Sequence, residues 1–82
     1  MTDIIVSRVF KFDGCDPIAI VLRHDPANGL HPYVVHTRVL SPDRGVFHIG
    51  GDYCQSLEEA AEVFGDRAAG ELRRARRARA AA

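Results

Sequence analysis

Between residues 4 and 12 apolar and polar positions alternate, with Ile4, Val6, Phe10 and Phe12 on one side, Ser7, Val9 and Lys11 on the other, and Arg8 interrupting the pattern. This period of two predicts a half-buried strand. Asp13-Gly14 marks a turn that Asp16-Pro17 prolongs. Residues 18–23 then form a β-branched run with Ile18, Ile20 and Leu22 on one face, the second strand of a hairpin. Asp25-Pro26-Ala27-Asn28-Gly29 ends that strand, because Asn and Gly tolerate positive φ and Pro fixes its own. Residues 32–40 and 46–53 are the clearest strand pair, joined by Ser41-Pro42-Asp43-Arg44-Gly45. Odd positions are apolar in both, so Tyr33, Val35 and Val39 are expected to share a face with Phe47, Ile49 and Tyr53. His36, Arg38, His48 and Asp52 fall on the even face. Gly50-Gly51 late in the last strand suggests a bulge or a close backbone approach.

After residue 55 the period changes. Ser56 followed by Glu59 is a capping box, and Leu57, Ala60, Ala61, Phe64 and Ala68 recur at spacings of three and four, the stripe of a helix that packs on a surface. Gly65 and Gly70 each cost roughly 1 kcal/mol relative to Ala in a helix interior, and either could end it. Beyond Gly70 the Arg/Ala-rich segment offers little but Leu72 to a core, which predicts a frayed helical extension or a tail. The pattern as a whole predicts an α+β two-layer domain over residues 1–70, an antiparallel meander of three or four strands with one helix on a face, and a tail over 71–82.

Composition sharpens this picture in two ways. A chain of 82 residues, 46% of them apolar, accommodates one small domain with a modest core. Its net charge of zero conceals a division, since residues 1–66 hold ten acids against five bases while residues 67–82 hold six arginines against Glu71. Such asymmetry points to charged partners. No apolar run approaches the roughly 20 residues that span a bilayer, and a basic region followed by a hydrophobic one is absent from the N-terminus, so a cytoplasmic location is expected. Cys15 and Cys54 lie far apart without a Cys-x-x-Cys motif, which suits free thiols in a reducing compartment.

Candidate chemistry is sparse. The histidine and cysteine spacings match no zinc motif, and His36 with His48 reads as a pair of surface histidines on a hairpin. Cys54 with His36 and Asp52 can be assembled as nucleophile, base and orienter, but no motif fixes those roles, and a cysteine at the entrance to a helix is commonly a small core residue. Neither catalysis, a metal nor a cofactor is expected. Glu58, Glu62 and Asp66 fall at i, i+4 and i+8 on one helix face, with Glu59 and Asp52 near its start. First-turn acids complement the helix dipole, which leaves Glu62 and Asp66 to be read either as a solvated face or as part of an acidic docking stripe. Arg73, Arg74, Arg76, Arg77 and Arg79 are candidate nucleic-acid contacts without interleaved aromatics, a composition that supports weak and non-specific binding. Opposite-charge halves and an exposed edge strand also make a homodimer conceivable.

Residues 33–67, with Tyr-Val-Val-His-Thr-Arg, a turn, Gly-Val-Phe-His-Ile-Gly-Gly-Asp-Tyr and then Ser-Leu-Glu-Glu-Ala, give a chain that is similar in kind to the small anti-CRISPR proteins of phages and mobile elements. The resemblance implies a non-enzymatic inhibitor that binds a CRISPR effector complex in a bacterial host and blocks target DNA binding through an acidic surface. The matching positions are Asp52, Glu58, Glu59, Glu62 and Asp66. Tyr33 and Tyr53 are the candidate anchors, since charge alone mostly sets on-rate and register. The arginine tail departs from that pattern by neutralising the chain. It also carries the alternative, a small nucleic-acid-binding protein using the tail together with His36, Arg38 and His48.

Overall fold

The computed structural model describes residues 3–11, 14 and 16–81, and the side chains among these as far as Arg77. Phe12, Asp13 and Cys15 lie outside the described residues, as does the side chain of Arg79. Four strands, β1 (Asp3–Phe10), β2 (Ile18–His24), β3 (Tyr33–Ser41) and β4 (Gly45–Cys54), form one antiparallel sheet in the order β1-β2-β3-β4, followed by α1 (Leu57–Ala81). This is the expected α+β two-layer meander with one helix packed on it.

The turns at residues 25–29 and 41–45 form where the sequence places them, and the turn placed at Asp13-Gly14 lies largely outside the described residues. Ser41 pairs with Gly45 across the β3–β4 connection, the Arg44 amide donates to Ser41 Oγ at 3.1 Å, and Gly45 adopts a φ of 77°. Asp25 closes the β2–β3 loop by accepting from the Asn28 amide and donating its own amide to the Pro32 carbonyl. Ser56 caps α1, its Oγ accepting from the Glu59 amide at 3.1 Å. The Glu59 carboxylate reaches one residue further back than the capping box predicts, to the Gln55 amide at 3.2 Å.

The core lies between sheet and helix. Phe10, Ile18, Ile20, Leu22, Val35, Cys54, Ala60 and Ala68 make it up, with Tyr33, Val39, Val63 and Phe64 packed against it. The helix packs on β2, β3 and β4. Its buried face is rotated from the predicted stripe, because Leu57 is 47% exposed and Ala61 is also exposed. Val63 and Arg67 take the inward positions instead, and Arg67 has polar partners on the sheet that draw that side of the helix down. Gly65 and Gly70 both lie inside the helix, which continues to Ala81.

One register shift reorganises the last strand. Thr37 pairs with Ile49 but His36 pairs with Gly51, so Gly50, at a φ of 61°, is the extra residue of a bulge. A single inserted residue inverts the side-chain alternation beyond it. Phe47 and Ile49 therefore face the helix as expected, whereas beyond the bulge Asp52 and Cys54 face it and Tyr53 points to the other side. The expected common face for Tyr33 and Tyr53 is thus corrected. A second shift between Ile4 and Val6 separates those two residues in the same way, Ile4 pairing with Arg23 and Val6 with Leu22.

Candidate functional site: the uncovered face of the sheet

Among the described residues no element covers the face of the sheet away from α1. Its composition follows from the register. One row across it reads Ile4, Arg23, Val34 and Tyr53, the next Ser7, Val21, His36 and Gly51, and the third Val9, Ala19, Arg38 and His48. Among the described residues these rows contain no carboxylate. Ile4, Val9 and Tyr53 are 53%, 60% and 60% exposed, and Val46 beside them is 62% exposed.

The centre of this face is nevertheless closed to water. Ala19, Val21, Val34 and His36 are buried. With no element above them, the cover comes from neighbouring long side chains, and arginine stems lie readily along apolar surface. Arg23 and Arg38 stand one row to either side of Val21 and His36, and the Nε atoms of both are themselves buried without a hydrogen-bond partner. His36 Nε2 is in the same condition. The His36 and His48 rings meet edge to face at 4.4 Å, so the two histidines come together as expected, but His36 is a buried residue and not a surface one. Burial, and then the charges of Arg23, His48, Arg38 and Arg67, lower the His36 pKa from 6.5 to about 4. The imidazole is therefore neutral near pH 7 and lies between two guanidinium groups. Buried polar atoms without protein partners are uncommon in folded proteins, and water, an ion or a bound partner can complete their bonding.

Of the residues expected to act together as an acidic surface, Asp52 and Glu59 are engaged in contacts within the chain, while Glu58, Glu62 and Asp66 stay aligned. Asp52 faces the helix, where its Oδ2 accepts from Arg67 Nη2 at 2.9 Å and Nε at 3.0 Å, while Arg67 Nη1 donates to Thr37 Oγ1 at 2.9 Å. Glu59 is occupied at the helix start. Glu58, Glu62 and Asp66 remain exposed on the outer face of α1. Tyr33 is half-buried on the helix side against His24, with ring centroids 5.1 Å apart, and Tyr53 lies on the opposite side of the sheet from all three carboxylates. Arg73, Arg76 and Arg77 are exposed on α1, and Arg74 pairs with Glu71 at 2.9 Å. They are separated by the sheet from His36, Arg38 and His48, so the arginine tail and that surface do not form one continuous footprint.

Cys54 is the small core residue that its place before the helix suggested. Cys54 is 1% exposed, and desolvation first, then Glu59 and Asp52, raise its pKa. His36, the base of the triplet that could be assembled around it, lies on the other face of the sheet. Among the described residues no group of three or more His, Cys, Asp or Glu is arranged to hold a metal ion, and no helix is long and apolar enough to cross a membrane.

Sequence reasoning missed Arg23 and the exposed Ile4, Val9 and Val46. Arg23 was legible as an odd position on a strand whose even positions are apolar, the signal that also picks out Arg38. Compared against protein-family models, curated proteins and solved structures, the chain matches none of them.

Proposed function

We propose that this protein is a non-enzymatic protein-binding module that docks through the uncovered face of its sheet. The observation that carries this reading is the composition of that face, in which exposed Ile4, Val9, Val46 and Tyr53 surround Arg23, Arg38 and a buried His36 whose Nε2 has no hydrogen-bond partner. Aromatic and arginine anchors set among apolar side chains are the combination that concentrates binding energy at protein interfaces. The partner supplies carboxylates or carbonyl groups for the guanidinium groups and apolar surface for the rim. Its class comes from the resemblance carried by residues 33–67, and is a CRISPR effector complex or a similar nucleic-acid-handling machine in a bacterial host. A cationic face does not enter a basic DNA channel, so inhibition through it works by holding a protein surface.

A second reading uses the opposite side of the molecule. Glu58, Glu62 and Asp66 are exposed in a line along α1, which favours direct occupation of a basic channel. Target-DNA binding by a purified effector complex, measured with and without the protein, separates the two. The docking reading expects inhibition that is lost in Arg23→Ala/Tyr53→Ala and kept in Glu58→Lys/Glu62→Lys, and the channel reading expects the reverse. Absence of inhibition across effector types removes this partner class. Tight binding to a free oligonucleotide that disappears with Arg23 and Arg38 would replace both readings with nucleic-acid binding.

A further inference from the structure

Helix α1 is electrically divided along its outer face. Glu58, Glu62 and Asp66 are exposed in its first half, and Arg73, Arg76 and Arg77 in its second. The helix dipole accounts for Glu58, in the first turn, but its influence falls off before Glu62 and Asp66 and does not reach back to Arg73. Nor do these residues neutralise one another within the chain. The positions three and four away from Glu62 are Gly65, Asp66, Glu59 and Glu58, those around Asp66 are Ala69, Gly70, Val63 and Glu62, and those around Arg73 are Ala69, Gly70, Arg76 and Arg77. Each half thus places like charges at i,i+4, which weakens a helix by a few tenths of a kcal/mol per pair, and a complementary charge is offered only by another molecule.

We infer that the outer face of α1 pairs with the same face of a second copy of this chain, the two helices running antiparallel about a two-fold axis near Ala69 and Gly70. In that arrangement Asp66 meets the partner's Arg73 and Glu62 meets the partner's Arg77, and the two-fold repeats both contacts. A two-fold axis perpendicular to the helices returns each flank of one helix to the same flank of the other, so acids and arginines on one flank meet their complements. Between Asp66 and Arg73 the outermost position is Ala69, and Gly65 lies one turn before it on the same face. Neither carries a bulky side chain, so nothing at the centre of the face holds the charged side chains of the two helices apart. The sheet lies on the far side of each helix and does not obstruct this pairing. The acidic stripe and the arginine run, otherwise two unrelated features, are then the two halves of one self-complementary surface.

Sedimentation of the full chain across a concentration series, at about 0.05 M and about 0.5 M salt, tests this, because exposed ion pairs are screened at the higher value. The expected species at low salt has twice the 9.0 kDa mass of the chain and returns to the monomer at high salt. Glu62→Lys/Asp66→Lys and Arg73→Glu/Arg77→Glu should each weaken association at least tenfold when alone, and should associate with each other when mixed. The milder Glu62→Gln/Asp66→Asn should also weaken association, and circular dichroism establishes that each variant retains its helix. A chain that stays monomeric at low salt, a dimer indifferent to both reversals, or a mixture that fails to associate would overturn the inference.

Discussion

Acidification should destabilise this protein through His36. Its pKa is lowered from 6.5 to about 4 in the folded chain, so the unfolded chain takes up the proton first. A depressed folded-state pKa contributes stability that is complete above about pH 6.5, shrinks as the pH falls, and is gone below about pH 4. Integrated over that window the effect is at most about 3 kcal/mol, of which about 2 kcal/mol is lost between pH 7 and pH 5. For a domain of this size such a loss lowers Tm by roughly 8–16 °C. The assay is urea unfolding at a series of pH values, beside an NMR titration of the imidazole protons in the intact protein. His36→Asn removes the titrating group and should flatten the slope between these pH values. Arg23→Met, which takes away the second-largest cause of the shift, should move the His36 titration upward. A His36 titration at or above 6.5 would refute the reasoning, as would an unchanged slope in His36→Asn.

Three further outcomes follow from the bulge, the helix clamp and the buried thiol. Gly50→Ala should cost about 1–2 kcal/mol in denaturant titration, since a side chain is strained at this positive φ. The new Cβ would also stand 3.4 Å from Arg67 Nη2, while Gly51→Ala, whose Cβ meets only Tyr53 at 3.8 Å, should be close to neutral. A double-mutant cycle of Arg67→Met and Asp52→Asn should give a coupling of about 1 kcal/mol or less, because the pair is part-exposed. A larger coupling would mean that the Arg67–Asp52 contact holds the helix on the sheet more firmly than its exposure allows. Cys54, buried and with a raised pKa, should resist a thiol reagent at neutral pH until denaturant opens the core, and rapid labelling of the folded protein would contradict its position.

Much of the fold was legible because its signals are local. The turn at residues 41–45, the β-branched run of β2 and the cap at Ser56 each depend on a few neighbouring residues, and each lies where the local chemistry puts it. The candidate site was legible in part. His36, Arg38 and His48 were read onto one face because β3 and the first half of β4 keep strict alternation, and the proximity of the two histidines follows from that register. Arg23 and Ile4 joined them only once β1 and β2 were paired across the sheet, a relation that alternation within one strand does not contain.

By itself the sequence determined the strands, the helix start, the two-layer architecture and the division of charge, since period and turn chemistry act over a few residues. Three things were decided only by tertiary structure. Gly50-Gly51 announced a bulge, but which residue is extra depends on pairing with His36 and Thr37, and that choice sends Tyr53 to one side and Asp52 to the other. The rotation of α1 depends on which helix positions the sheet receives, with Ala60, Val63, Phe64 and Ala68 packed on the core and Arg67 meeting Asp52 and Thr37 beside them. The burial of His36 depends on two arginines from different strands closing over a face that has no second layer, a long-range arrangement that no single stretch of the chain encodes.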